Sequence, residues 1–167
     1  MALLQDAVAA LAGQAGWRTP PQDADGAYRF SLADCPDLTL FSPDDRLCVM
    51  CAGLTALPAA AAEREDLLRL VLQRQAGVCR KRASIPALEK PGESLLGNTA
   101  QDERIVLYRK VDLSAGQTVF TGAVRDFLND YVWWKAACGN TGSTSTREGS
   151  SFSMLGGMSG MLLGNRY

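Results

Sequence analysis

The chain has 167 residues, 47% hydrophobic and 21% charged, with a formal net charge of −1 and a pI near 5.4. That is enough for one domain with a real core and no covalent staples, without the basic surplus of a nucleic-acid binder. It contains no histidine, which rules out Ser-His-Asp triads, Cys-His dyads and histidine-bound metals.

The first predicted element is a short helix over residues 3–15. Leu4, Val8 and Leu11 recur at i, i+4, i+7 and give it one apolar stripe. Gly13 and Gly16 end it, Pro20-Pro21 prevents resumption, and Trp17 packs back over its end. Two alternating segments follow, Tyr28–Leu32 and Leu38–Leu40, each with the period of a half-buried strand. Asp34-Cys35-Pro36-Asp37 turns the chain between them.

Leu47–Leu54 holds eight residues with no charge and no strong polar group. Such a run reads as a strand covered on both faces. Ser42-Pro43-Asp44-Asp45 turns into it. A strand buried on both sides needs a layer on each side, from this chain or from a second copy. With the two strands before it, it forms an antiparallel meander.

A helix then runs from about Pro58 to Ala76, with Gly77 as its C-terminal cap. Leu67, Leu68, Leu70, Val71 and Leu72 are all apolar and cover roughly 200° of its surface, twice what one sheet needs. The excess predicts contact with a second surface. Ile85–Leu88 reads as a short edge strand, where Pro86 is tolerated, and Ser94-Leu95-Leu96 is another candidate. Arg104–Val111 is a strand rich in branched and aromatic residues. In the last helix Ser114 and Gln117 suggest an S-x-x-Q capping box. Phe120, Val124, Phe127, Leu128 and Tyr131 form its stripe, which Val119, Ala123 and Val132 widen; Gly139 stops it. Trp133 and Trp134 are adjacent and cannot both face the sheet. Residues 139–167 read as a Gly/Ser/Thr- and Met-rich tail outside the 1–138 domain. Its Met154, Leu155, Met158, Met161 and Leu162 fall at helical spacing. The segment is either disordered or an apolar plug for a groove on the same or a neighbouring chain.

The five cysteines are Cys35, Cys48, Cys51, Cys79 and Cys138. The N-terminus lacks a basic n-region, so the thiols read as free in a reducing compartment. Cys48-x-x-Cys51 has metal-like spacing, but residues three apart on a strand point to opposite faces. With no second pair to complete a site, it reads as buried structural cysteine. Gly92-x-x-x-x-Gly97 lacks the lysine of a phosphate loop. The aspartates between residues 23 and 45 read as turn formers, and Arg80-Lys81-Arg82 as a solvated loop. No run reaches a membrane span.

The expected fold is α+β: a twisted antiparallel sheet in the order helix-strand-strand-strand-helix-strand-strand-helix. Over residues 1–138 this order resembles the class I type III secretion chaperones, the Tir-chaperone-like family. The resemblance rests on the N-terminal helix, the Tyr28–Leu32 and Leu38–Leu40 pair, apolar Leu47–Leu54, the Glu63–Gln75 helix, and Arg104–Asp112 leading into the last helix. It implies a homodimer in the bacterial cytoplasm that binds the N-terminal segment of a secreted effector without nucleotide or other cofactor. The complex would be presented to the secretion apparatus, its ATPase included. An extended client needs apolar grooves and sheet edges. The candidate groove is Leu4, Val8, Leu11, Phe30, Leu32, Leu38 and Leu40. The candidate dimer contact is Leu67, Leu70 and Val71 with Ile85 and Leu88. The alternatives are a dimeric scaffold of the same fold with another regulatory partner, and a small enzyme or ligand-binding domain.

Overall fold

The computed structural model describes residues 2–31, 37–90 and 102–139. The candidate strand Ser94-Leu95-Leu96, Leu32, Cys35, the Gly92–Gly97 spacing and the tail from residue 140 lie outside these. In chain order the elements are α1 (Ala2–Ala15), β1 (Tyr28–Phe30), β2 (Leu38–Phe41), β3 (Leu47–Ala56), α2 (Ala61–Val78), β4 (Ile85–Glu89), β5 (Arg104–Asp112) and α3 (Gln117–Gly139). The five strands form one antiparallel sheet in the spatial order β1-β2-β3-β5-β4. The first three strands are the expected meander. The chain then leaves through α2, returns as β4 on the far edge, and closes the gap with β5.

Local chemistry sets the boundaries. Gly16 adopts φ +68°, and the Trp17 N–H donates to the Ala12 carbonyl at 2.9 Å. This is the Schellman closure that ends α1. The Trp17 ring then lies 5.6 Å from that of Phe30, so the helix end is fastened to β1. Before β1, the Asp23 carboxylate accepts from the Ala27 and Asp25 N–H groups and pairs with Arg29 at 2.7 Å. The Ala27 bond first, then the Arg29 charge, holds this carboxyl below the ordinary aspartate value. Before β3, Asp44 accepts from the Leu47 N–H at 2.8 Å, and Asp45 takes the left-handed conformation at φ +60°.

The capping box at Ser114 does not form. Leu113–Ala115 is one turn of 3-10 helix, with the Asp112 carboxylate capping the Ser114 N–H at 2.8 Å. The Ser114 hydroxyl and that N–H together hold the Asp112 carboxyl low. Gln117 instead reaches the Ala7 carbonyl at 3.2 Å and so ties α3 to α1. Gly77 lies inside α2, which runs on to Val78 with Cys79 as its cap.

Helices α1 and α3 lie on one face of the sheet. Phe120, Val124, Phe127, Tyr131 and Trp134 descend from α3 at i, i+4, i+7, i+11, i+14 and are buried. They meet Cys48, Met50, Ala52 and Leu54 of β3 and Ile105 and Leu107 of β5. Val119 and Val132 do not widen this stripe; each projects into solvent. Trp134 is wholly buried, whereas Trp133 is only partly so. A β-bulge between Gly53 and Thr55 interrupts the β3–β5 register. The Tyr131 hydroxyl donates to the Gly53 carbonyl at 3.1 Å, and the Lys135 ammonium to the Leu54 carbonyl at 2.6 Å. Thus α3 satisfies the backbone where the ladder slips.

Candidate binding surfaces

The residues expected to form a client groove are packed inside. Leu4, Val8, Leu11, Phe30, Leu38 and Leu40 are each at most 3% exposed and belong to the main core. The strand pleat explains this. Tyr28, Leu40 and Met50 are cross-strand partners on the helix-covered face, as are Phe30 and Leu38. The stripe of α1 closes over them. In this conformation their side chains are covered by the chain's own core.

The proposed dimer residues divide. Leu67 and Val71 are buried within their own subunit. Leu70 is half-buried. Ile85 and Leu88 on β4 are each 41% exposed. They lie on opposite faces of the edge strand, since Ile85 pairs with Tyr108 and Leu88 with Ile105.

Strand β4 is held firmly at both ends, and among the described residues no strand pairs with its outer margin. At its start, the buried Asp130 carboxylate of α3 pairs with Arg82 at 2.5 Å and accepts from the Ser84 N–H at 3.3 Å. The Arg82 guanidinium also stacks on the Trp133 ring, 4.5 Å from its centroid. At its end, buried Glu89 pairs with Arg104 of β5. A fixed edge strand flanked by two exposed apolar side chains suits strand addition. Pro86 removes one donor from it.

The sheet face away from α1 and α3 carries a second, smaller cluster. Val49, Cys51 and Val106 are buried there, with Phe41, Ala87 and Tyr108 around them. Cys48 and Cys51 indeed face opposite ways, one into each cluster. Burial pushes both thiols up to about 12, aided by Cys51 at Cys48 and by Glu89 at Cys51. Both are therefore protonated at neutral pH and are not nucleophiles. Among the described residues no group of three or more His, Cys, Asp or Glu side chains lies together.

A third surface was not singled out by the sequence reading. Along the outer side of α2 runs an apolar cleft of about 500 Å³, floored by Leu68 and Leu72. Leu72 is 70% exposed. The signal was present in the spacing. Leu72 stands about 140° around the helix from Leu67, too far to share its buried face. The rim charges are mutually paired, Arg69 with Glu65 at 2.6 Å and Arg64 with Glu103.

An antiparallel sheet with two covering helices, a crossover helix and a pinned edge strand is the fold of the type III secretion chaperones. The chain aligns with the protein of the ExsC–ExsE complex at a TM-score of 0.58 and 13% identity, over 80% of this chain and 91% of that one. With the HopA1–SchA chaperone–effector complex the TM-score is 0.56 and the identity 11%, over 80% and 94%. YbjN, a putative transcription regulator from E. coli, aligns at 0.51 and 14%, over 80% and 87%. No protein-family model and no curated protein matches the chain. No helix among the described residues is long and apolar enough to cross a membrane.

Proposed function

We propose that this protein is a non-enzymatic chaperone. It binds the N-terminal region of a type III secreted effector in the bacterial cytoplasm and keeps it soluble and secretion-competent. The observation that carries the reading is the pairing of this fold with surfaces built for extended polypeptide. The edge strand β4 is fixed in place, and exposed Ile85 and Leu88 flank it. An extended client gains affinity from backbone hydrogen bonds along such an edge and specificity from alternate side chains. The structural neighbours come from the ExsC–ExsE and HopA1–SchA complexes, the second described as chaperone with effector, and this supports the same role here. The chain works as a homodimer through Leu70, Ile85 and Leu88, with Leu67 and Val71 supporting that surface from within.

Light scattering of the purified chain then gives twice the 17.9 kDa subunit mass. Co-expression with the product of a neighbouring effector gene yields a stable complex through that product's N-terminal segment. Failure of every neighbouring secreted polypeptide to bind refutes the role. A second reading, a regulatory scaffold of the same fold, is favoured by the likeness to YbjN. It predicts a partner that is not secreted and no secretion genes nearby.

A further inference from the structure

Arg80-Lys81-Arg82 is the chain's one run of three cations, and the reading above leaves it unused. Its backbone is fixed: the Lys81 and Arg82 N–H groups both donate to the Val78 carbonyl at the end of α2, at 2.8 and 2.9 Å. Asp130 offsets one of the three charges by pairing with Arg82. Arg80 and Lys81 are exposed, and neither forms an ion pair among the described residues. The dipole at the end of α2 favours a cation here, but three in succession repel one another. The stability of the domain therefore gives no reason for Arg80 and Lys81, whereas a bound anion relieves their repulsion.

Arg82 shows what kind of anion fits. Its Nη1 donates to Asp130 at 2.5 Å, and its guanidinium carbon lies 4.5 Å from the centroid of the Trp133 ring. The side chain has thus already lost the rotamer freedom that an arginine gives up on gripping a ligand. Its Nη2 and Nε make no hydrogen bond among the described residues, and 26% of the side chain meets solvent. That remaining edge of the fork matches the two oxygens of a carboxylate. Trp133, only partly buried, supplies an apolar wall beside it, and arginine and tryptophan are the side chains most enriched where proteins bind proteins tightly. Nucleic acid fits less well. Three cations on a chain of net charge −1 fall short of the roughly 6–10 phosphate contacts of a strongly salt-dependent nucleic-acid binder.

We propose that the Arg80-Lys81-Arg82 turn, with Arg82 braced by Asp130 and Trp133, is a docking site for an acidic polypeptide segment of another protein. The site precedes β4 and stands whether or not that strand takes a client.

Fluorescence anisotropy of a labelled octaglutamate peptide, titrated with the full chain at ~50 mM salt, tests this. The wild type binds the peptide, and Arg80→Ala/Lys81→Ala weakens binding about tenfold. Arg18→Ala/Lys110→Ala removes the same charge from exposed positions elsewhere and changes it less than twofold. All four side chains are exposed, so both variants keep the fold, as unchanged far-UV circular dichroism will register. Carbodiimide coupling on the wild type, read by mass spectrometry, joins the peptide to Lys81 rather than to Lys90, Lys110 or Lys135. No binding at about 1 mM chain overturns the proposal. So does equal weakening in the two double variants, or coupling to another lysine, since either shows general charge attraction. Tighter binding of an eight-residue thymidine oligonucleotide assigns the turn to nucleic acid and overturns it. A halved mass of Arg80→Ala/Lys81→Ala in light scattering assigns the cations to a second copy and likewise overturns it.

Discussion

Leu40→Ala separates a core residue from a client-facing one. Leu40 is fully buried on the helix-covered face, between its cross-strand partners Tyr28 and Met50. Removing its branched end deletes the equivalent of roughly three methylenes at ~0.8 kcal/mol each, about 2.4 kcal/mol of transfer free energy. The surrounding β-ladder relaxes only partly, so a cavity adds ~1 kcal/mol, for a total of about 3–4 kcal/mol. Leu72→Ala is the control. Its side chain is 70% exposed, and its loss alters stability by about 0.5 kcal/mol or less. Urea denaturation followed by tryptophan fluorescence, at one fixed protein concentration, measures both. The expected result is a lower midpoint for Leu40→Ala with an unchanged m-value. If Leu40→Ala costs less than ~1 kcal/mol, Leu40 is not core in solution. The groove expected from sequence would then be open, and the packing described for α1 would be wrong.

Three further outcomes follow from the buried polar groups and thiols. Asp130→Ala strips the partner from Arg82 and from the Ser84 N–H; it costs about 2–3 kcal/mol, below the range for a wholly buried pair because Arg82 is a quarter exposed. A double-mutant cycle with Arg82→Ala shows coupling if the clamp is real and additivity if it is not. Cys48 and Cys51 have native values of about 12 against 9.0 for an ordinary thiol, so the folded chain keeps protons that the unfolded chain releases. Their contribution is whole below pH 9 and is lost as the pH rises toward 12. The Cys48→Ala/Cys51→Ala variant should flatten that alkaline fall, and an unchanged slope rejects the assignment. Among the described thiols, only exposed Cys79 reacts quickly with DTNB before unfolding, while buried Cys48, Cys51 and Cys138 wait for denaturant; mass spectrometry of the labelled peptides reads this directly.

The architecture was legible because it rests on periodicity. Alternation marked β1 and β2, the unbroken apolar run marked β3, and the spacing of Phe120, Val124, Phe127 and Tyr131 marked α3. The opposed cysteines followed from strand geometry alone. What periodicity does not record is the step from apolar to accessible. Leu4 and Leu72 are both leucines on amphipathic helices, yet one is closed in the core and the other projects into water. Composition does not record which face a neighbouring element covers. The capping box failed for a related reason. A competing acceptor, Asp112, sits two residues before Ser114, and the longer Gln117 side chain found the Ala7 carbonyl across the helix interface. The Arg82–Asp130 clamp joins residues 48 positions apart, and no local pattern announces it.

The breadth of the α2 apolar arc connects fold to function. Leu67 and Val71 at its centre are buried by the chain's own core, and that requirement alone would tolerate polar residues at 68, 70 and 72. Instead leucine stands at all three, half-buried on the flanks and open to solvent at Leu72. An exposed leucine adds almost nothing to the stability of the domain and raises the risk of unwanted association. Leu68 still packs against the core, but the fold gives Leu72 no such partner, and its exposed side chain is what a binding surface would use. The two flanks face different ways, Leu70 on one and Leu68 with Leu72 on the other, about 160–200° apart around the helix. One flat partner cannot cover both. A second copy that covers one flank leaves the other open, so single substitutions Leu70→Asp and Leu72→Asp will separate, by mass in solution, the flank that meets it from the one that does not.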